Sequence, residues 1–147
     1  MGAIPGSATP GVSAQARALS DPLGHRRELC HEAALCHEVL EVMVAMFASG
    51  DPSAAVAVIA EDYLDHQGLG AGPVRGVEGF AHVVRTNHAA YEHQQVSIED
   101  VFGVCDRAAA RISWRGRRHD GECVDRETID IVRVAEGRAV EHWGARA

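Results

Sequence analysis

The sequence predicts a single α+β domain in which helices pack on one face of an antiparallel sheet. Two observations predict this class. Apolar residues in the first half recur at helical spacing, whereas the second half alternates apolar and polar residues in runs joined by short turns. The chain has 147 residues, of which 46% are hydrophobic and 24% charged, which is typical of one folded globular domain.

A first helix is predicted from Arg26 to Ser49. Its apolar residues form one stripe, at steps of three, four or seven positions: Leu29, Ala33, Leu40, Met43 and Phe47. Gly50 is expected to end it, because glycine readily adopts the backbone conformation that closes a helix. Residues 1–24 are rich in Gly, Ala, Ser and Pro without periodicity. We therefore expect a disordered leader at 1–24 and the folded domain at 25–147.

A second helix is predicted after Asp51-Pro52, which supply an N-cap and a first-turn proline, and it should run through Ala60. Residues 63–66 leave this helix. The following stretch, 67–76, is rich in glycine and contains a proline, so we expect a loop.

A third helix is predicted from about Val77 to Tyr91, with Phe80, Val84 and His88 on one inward stripe. Four strands are expected to follow, near residues 95–105, 107–118, 122–134 and 138–146. Helices followed by an antiparallel meander favour a sheet with its helices on one face.

The net charge of −7 disfavours binding to nucleic acid or to anionic lipid, since both require a basic surface. A small molecule is the expected partner. All 14 basic residues are arginine, which excludes Schiff-base chemistry through a lysine.

The four cysteines have neither a CxxC nor a zinc-finger spacing: Cys30, Cys36, Cys105 and Cys123. We expect free thiols in a reducing cytoplasm. The N-terminal sixteen residues have neither a basic region nor a continuous apolar region of the kind that directs secretion. The expected location is therefore cytoplasmic.

A repeated triplet, Cys30-His31-Glu32 and Cys36-His37-Glu38, offers metal-binding residue types. Six residues of helix separate the two triplets by about 240°, so they face different directions. The chain also lacks the HExxH pattern. We therefore expect no metal ion and no organic cofactor.

Four phrases, in order and spacing, resemble the SnoaL-like polyketide cyclase family of the ketosteroid-isomerase-like, or nuclear-transport-factor-like, superfamily. They are Asp62–His66, Gly76–Phe80, Ile129–Val134 and Glu136–Trp143. The resemblance implies a cone-shaped α+β barrel, with three N-terminal helices on a curved, mainly antiparallel sheet, and a homodimer. It also implies cofactor-free acid/base catalysis by cyclases of antibiotic biosynthesis and by related isomerases, dehydratases and epoxide-opening enzymes.

One position departs from the resemblance. Cyclases of this family place an acid/base aspartate directly after the His-Trp pair of the last strand, where this chain has Gly144. A cavity residue of the family aligns near Asp130. Asp130 is therefore a candidate to replace the missing carboxylate, although a solvent-facing position on its strand is equally compatible with the pattern.

The candidate catalytic residues are Asp65, His66, Asp130 and His142. Asp65 and His66 enter the glycine-rich loop, where a base and a proton donor could reach a cavity together. Alternatively, Asp65 caps the loop and His66 is solvated. His142 shares a strand face with Gly144, so it either lies in the cavity or is a structural core histidine.

Three further residues are candidates for substrate binding. Tyr63 could donate a hydrogen bond to an oxyanion, or serve as an amphipathic core residue. His88 could close the cavity from the third helix, or be structural. Trp114 could form a cavity wall or a dimer contact.

These observations predict an enzyme that cyclises a polyketide-like or other apolar carbonyl compound. Alternatives within the same fold are an epoxide-opening hydrolase or cyclase, and a dehydratase or isomerase. A non-catalytic small-molecule-binding module is the alternative from another class, and the glycine at position 144 is compatible with it.

Overall fold

The computed structural model describes residues 22–67 and 72–147, and side chains from residue 31 onward. Three helices and six strands occur in these described residues. In chain order they are α1 (Pro22–Ser49), α2 (Ala55–Val58), β1 (Ile59–Asp65), β2 (Val74–Arg75), α3 (Gly76–Ala89), β3 (Tyr91–Val104), β4 (Arg107–Arg118), β5 (Cys123–Ala135) and β6 (Arg138–Arg146).

Helix α1 ends as predicted and begins four residues earlier than predicted, at Pro22. Gly50 follows it with φ of 75°, a conformation that glycine adopts without steric cost. Of the predicted leader, residues 1–21 lie outside the described residues, and residues 22–24 form the start of α1. The stripe of Leu40 and Met43 is buried in the core.

The second helix is shorter than predicted. Asp51 accepts hydrogen bonds from the backbone N–H and the hydroxyl of Ser53, at 2.9 and 3.1 Å, which makes a local turn rather than a helix cap. Helix α2 therefore begins only at Ala55 and has four residues.

The segment expected to end the second helix and leave it is strand β1. It pairs in parallel with β6, which lies at the other end of the chain. Such a long-range pairing leaves no local periodicity by which a sequence pattern can reveal it. Within the expected loop 67–76, residues 68–71 lie outside the described residues, and Val74–Arg75 forms the short strand β2.

Helix α3 is two residues shorter at its C-terminus than predicted, because Tyr91 already belongs to β3. The six strands form one open sheet in the order β2-β1-β6-β5-β4-β3. All its pairings are antiparallel except β1 with β6. Register shifts in β3 and β5 bend the strands, as β-bulges do. The expected α+β class, with a curved and mainly antiparallel sheet, is confirmed.

The core lies between one face of this sheet and helices α1 and α3. Among the described residues its largest fully buried apolar side chains are Tyr63, Leu40, Ile59, Val84 and Val132. Strands β5 and β6 both bring alternate residues to this inner face. Their ladder pairs Asp130 with Gly144 and Val132 with His142, so the candidate residues of the two strands are neighbours.

Candidate functional site

A cavity of about 260 Å³ lies between the two long helices and the inner face of the sheet. Most of its wall is apolar: Leu40, Met43, Val44, Phe47, Tyr63, Phe80, Val83, Ile112 and Trp114. The remaining lining residues are polar: Asp65, Gln67, Asn87, Arg126, Thr128, Asp130, His142 and Arg146. A concave apolar site with a few convergent polar groups is the usual form of a small-molecule site.

Three of the four candidate catalytic residues meet in this cavity. His142 Nδ1 lies 2.9 Å from Asp65 Oδ1, and His142 Nε2 lies 2.8 Å from Asp130 Oδ1. The parallel pairing of β1 with β6 places Asp65 beside His142, and the antiparallel pairing of β6 with β5 brings Asp130 to the other side. The imidazole therefore bridges two carboxylates that come from different strands.

The two carboxylates determine the protonation of His142. Burial alone lowers its pKa, but the hydrogen bonds to Asp130 and Asp65 outweigh burial and raise the pKa from 6.5 to about 9. An ionised carboxylate only accepts hydrogen bonds, so both ring nitrogens of His142 donate. At neutral pH the cluster therefore consists of an imidazolium between two carboxylates.

Each carboxylate of the cluster has a further partner. Thr128 donates from its hydroxyl to Asp130 Oδ2 at 2.5 Å, and Trp114 Nε1 donates to the Thr128 hydroxyl at 2.9 Å. The backbone N–H of Gln67 donates to Asp65 Oδ1 at 2.9 Å. Only 8% of Asp65 and 5% of Asp130 is exposed to solvent. This network fixes the orientation of both carboxylates.

The glycine at position 144 lies at the centre of this arrangement. A Cβ at this position would overlap the side-chain amide of Gln67 and would lie 2.9 Å from Asp130 Oδ1. The space that a side chain at 144 would need is thus occupied by Gln67 and by the Asp130 carboxylate.

Tyr63 lies within the cavity wall with 1% of its surface exposed. Its hydroxyl has no hydrogen-bond partner among the described residues. Burial raises the pKa of this hydroxyl well above its usual range, and the negative charges of Asp65 and Asp130 raise it further. Tyr63 is therefore a neutral hydrogen-bond donor beside the carboxylate cluster.

Trp114 also lines the cavity, where its ring makes an edge contact with Phe47 at 5.6 Å. His88 does not line it. Its ring packs at the end of α1, so close to Gly50 that a Cβ on that glycine would lie 2.5 Å from the ring. Asn87, one residue earlier, is the residue of this turn of α3 that reaches the cavity.

His66 lies outside the cavity, which differs from the expectation that it reaches the site together with Asp65. Its Nε2 donates to Glu141 Oε1 at 3.2 Å, and its ring stacks on Trp143 at 5.0 Å between centroids. Arg133 holds the other oxygen of Glu141 at 2.7 Å. Because successive residues of an extended chain point to opposite faces, Asp65 points inward and His66 outward.

Five polar residues of the cavity were not among the predicted site residues, namely Gln67, Asn87, Arg126, Thr128 and Arg146. The three that lie on strands had an available signal. Arg126 and Thr128 alternate at even steps with Asp130 along β5, and Arg146 does so with His142 along β6, so the inner-face assignment of each strand extends to them. Asn87 follows Phe80 by seven residues and Val83 by four, so the helical stripe of α3 extends to it. Gln67 lies outside the helices and strands and follows from no pattern.

Among the described residues, no group of three or more His, Cys, Asp or Glu side chains has an arrangement that could hold a metal ion. No helix in the described part of the chain is both long and apolar enough to cross a membrane.

Comparison with solved structures places this fold among known ones. A putative polyketide cyclase from Bacillus cereus ATCC 10987 is 26% identical, with a TM-score of 0.65, and the match covers 74% of this chain and 71% of that chain. TsrD from Streptomyces laurentii is 24% identical, with a TM-score of 0.68 over 77% of this chain and 88% of that chain. An LEH-like epoxide hydrolase from M. tuberculosis is 14% identical, with a TM-score of 0.66 over 79% of this chain and 85% of that chain.

No match to a curated protein is found. The sequence model of one family matches residues 37–146, which include all six strands and every residue of the carboxylate–histidine cluster. The chain therefore belongs to the SnoaL-like polyketide cyclase family.

Proposed function

We propose that this protein is a cofactor-independent acid/base enzyme that closes a ring in a polyketide-like or other apolar carbonyl intermediate of antibiotic-type natural products. The observation that carries the proposal is the cluster of Asp65, His142 and Asp130 in an otherwise apolar cavity. Removal of a proton next to a carbonyl requires an oriented base in a site that excludes bulk water, together with a donor for the enolate oxygen.

Asp130 is the proposed base. Its Oδ1 lies in the space beside Gly144, where the resemblance implies the acid/base aspartate of the family. Thr128 and His142 each hold one of its oxygens, so the carboxylate is oriented before a substrate arrives. Such preorganisation lowers the barrier because no solvent or side chain has to reorganise during the proton transfer.

His142 is proposed to act through the two carboxylates. Its ring donates to both carboxylates and so holds Asp130 in the orientation in which it accepts the substrate proton. When Asp130 takes the substrate proton, the remaining charges of His142 and Asp65 balance each other. The buried cluster therefore passes from a net negative charge to neutrality, and the transferred charge moves to the enolate.

Tyr63 is the proposed donor to the enolate oxygen. Its buried hydroxyl has no partner among the described residues and stays protonated over the working pH range. A donor of this kind is typically worth about 10² to 10³ in rate when it meets the developing negative charge.

Ring closure then follows with balanced protons. Asp130 takes the proton from the carbon next to the carbonyl, and the C–H electrons form the enolate. The enolate carbon attacks a second carbonyl of the same molecule, which forms the new C–C bond and an alkoxide. Asp130 returns its proton to the alkoxide, so the product is a hydroxyl-bearing ring and the enzyme is restored.

The paired carboxylates also favour a second candidate, an epoxide-opening hydrolase or cyclase. One carboxylate would remove a proton from a water or hydroxyl nucleophile while the other side of the cluster donates a proton to the epoxide oxygen. A dehydratase or isomerase would use the same groups. In a non-catalytic binding module, the carboxylate–histidine cluster would transfer no proton.

The proposed homodimer is supported by the outer face of the sheet. Phe102 is 72% exposed, and Ile129 and Ile131 are 41% and 37% exposed. The register brings Phe102 and Ile131 to either side of Ala109, so these side chains form one apolar patch. Light scattering should give twice the chain mass, and Phe102→Asp should give the monomer mass.

The proposed cytoplasmic location is supported by the cysteines. Cys36, Cys105 and Cys123 are free thiols. Burial raises the pKa of the Cys36 thiol, and the charge of Asp106 adds to this effect, which makes Cys36 unreactive. Exposed free thiols are typical of proteins in a reducing compartment.

The proposed reaction is tested with 1-tetralone, a bicyclic ketone with exchangeable protons next to its carbonyl. In D₂O, NMR follows the loss of the C2 proton signal. We expect the wild-type protein to accelerate this exchange over buffer, and His142→Ala to remove the acceleration. A wild-type rate equal to that of buffer would contradict carbon-acid chemistry and favour the epoxide or binding alternatives.

A further inference from the structure

Two arginines line the catalytic cavity, Arg126 on β5 and Arg146 at the end of β6. Neither forms an ion pair among the described residues. Arginines elsewhere on the sheet do so: Arg111 pairs with Glu127 at 2.7 Å and Arg133 with Glu141 at 2.7 Å. Arg126 and Arg146 are thus unpaired guanidinium groups at the place where a ligand would bind.

Arg126 is held in place although no carboxylate among the described residues pairs with it. Its guanidinium carbon lies 5.5 Å from the centre of the Trp114 ring, a cation–π contact that fixes the side chain against the cavity wall. Its Nε is buried and has no hydrogen-bond partner among the described residues. Buried N–H groups in native proteins nearly always have an acceptor, so this donor indicates an acceptor that arrives with a ligand.

Arg126 lies on the same strand face as the catalytic cluster. It is four residues before Asp130 on β5, and a strand advances about 3.3 Å per residue, so their backbones are about 13 Å apart. Arg146 lies opposite Thr128, which stands between Arg126 and Asp130. Arg126 is therefore separated from the proposed base along β5, and Arg146 lies on the neighbouring strand, level with the residue between them.

The charges of the cavity are unbalanced. Asp65 and Asp130 are the acidic residues of its lining, and Arg126, Arg146 and His142 are the basic ones. With His142 protonated, one positive charge is left over within a protein whose formal net charge is −7. A ligand with a single negative charge would bring the net charge of the cavity to zero, whereas a phosphate dianion would leave it negative.

We propose that Arg126, assisted by Arg146, binds a carboxylate of the substrate, which makes the substrate an apolar carbonyl compound with a free acid group. This inference rests on the proposed function, since it assigns the substrate class of the same site. A bidentate guanidinium–carboxylate pair would fix one end of the molecule. The reacting carbon would then lie about 10 Å away, beside Asp130.

Binding of 2-naphthoate, compared with the neutral amide 2-naphthamide, tests the carboxylate site by calorimetry at pH 7 and low salt. We expect wild-type protein to bind the acid at least about tenfold more tightly, which is about 1.4 kcal/mol. Arg126→Met should remove this preference while naphthamide affinity changes by less than about threefold. Arg126→Lys, which keeps the charge and loses the planar fork, should retain part of the preference.

The matched control is Arg138→Met, which removes an exposed arginine that also has no ion pair within the described part of the chain but lies outside the cavity lining. It should bind naphthoate like wild type. The proposal is overturned if wild type shows no preference for the acid or no binding of it, if Arg126→Met retains the preference, or if Arg138→Met loses as much.

The result is independent of catalysis. A preference for naphthoate in a protein that exchanges no tetralone protons would leave the carboxylate site intact and defeat the proposed reaction. A protein that exchanges tetralone protons but shows no preference for naphthoate would support the proposed reaction and overturn the carboxylate site.

Discussion

Gly144 lies directly opposite Asp130 in the antiparallel ladder of β5 and β6, and a Cβ on Gly144 would lie 2.9 Å from Asp130 Oδ1. Gly144→Ala should therefore displace both the Gln67 amide and the Asp130 carboxylate. We expect the tetralone exchange rate to fall at least about tenfold, with a loss of stability of about 1–3 kcal/mol from overpacking. Ala145→Ser, on the exposed neighbouring residue, is the matched control. Full activity in Gly144→Ala would mean that the position of Asp130 does not matter.

The raised pKa of His142 predicts a specific loss of stability at alkaline pH. The folded protein holds this proton up to about pH 9, whereas the unfolded chain releases it near pH 6.5. The contribution of protonated His142 to the free energy of unfolding is therefore complete below pH 6.5, the pKa in the unfolded chain, and is lost as the pH rises through about 9. It amounts to about 3 kcal/mol for a shift of this size.

Thermal melts from pH 6 to pH 10 measure this effect. The Tm of wild type should fall across the interval by at least about 5 °C more than that of His142→Gln, which lacks the titrating group. Parallel curves for the two proteins would show that His142 is not protonated in the folded state at neutral pH.

Asp65 and His66 are adjacent in sequence but face opposite sides of the sheet, so their variants should differ. His66→Ala removes a surface hydrogen bond with Glu141 and the stack on Trp143. It should cost about 1 kcal/mol or less and leave the exchange rate within about threefold of wild type. An exchange rate as low as that of a cavity variant would bring His66 into the reaction.

Metal independence is expected because the proposed steps need only side-chain acids, bases and donors. The rate of tetralone exchange should be unchanged after dialysis against EDTA. Loss of activity on chelation, with recovery on adding zinc, would contradict the proposed steps.

The sequence predicted most of the fold because most of its elements have local signals. Four strands and two long helices lie within a few residues of their predicted bounds. Strand β1 was predicted as helix followed by an irregular segment, since its identity depends on pairing with β6 more than seventy residues later. The strand face of Asp130 was equally open, because a one-residue change of register would have turned it to solvent.

The site was predictable in its residue types more than in its geometry. Alternation along β6 suggested that His142 shares the face of Gly144, and the structure has it there. The sequence made His66 and His88 equally good candidates for the cavity. In the structure His66 points to the opposite face of the sheet from Asp65, where it contacts Glu141. His88 packs against Gly50 instead of lining the cavity. The contact of His142 with two carboxylates required the three-dimensional arrangement of three strands.

The exchange rates of Asp130→Asn, Asp65→Asn and His142→Ala, measured with 1-tetralone on proteins shown to be folded by circular dichroism, test the central claim most directly. A positioned base contributes about 10² to 10⁴ in rate, so each variant should be slower than wild type by at least about 10²-fold. The exposed controls His119→Ala and Glu136→Gln should stay close to wild type. Near-wild-type exchange in all three cavity variants would mean that the carboxylate–histidine cluster is structural and that the cavity acts by shape and proximity alone.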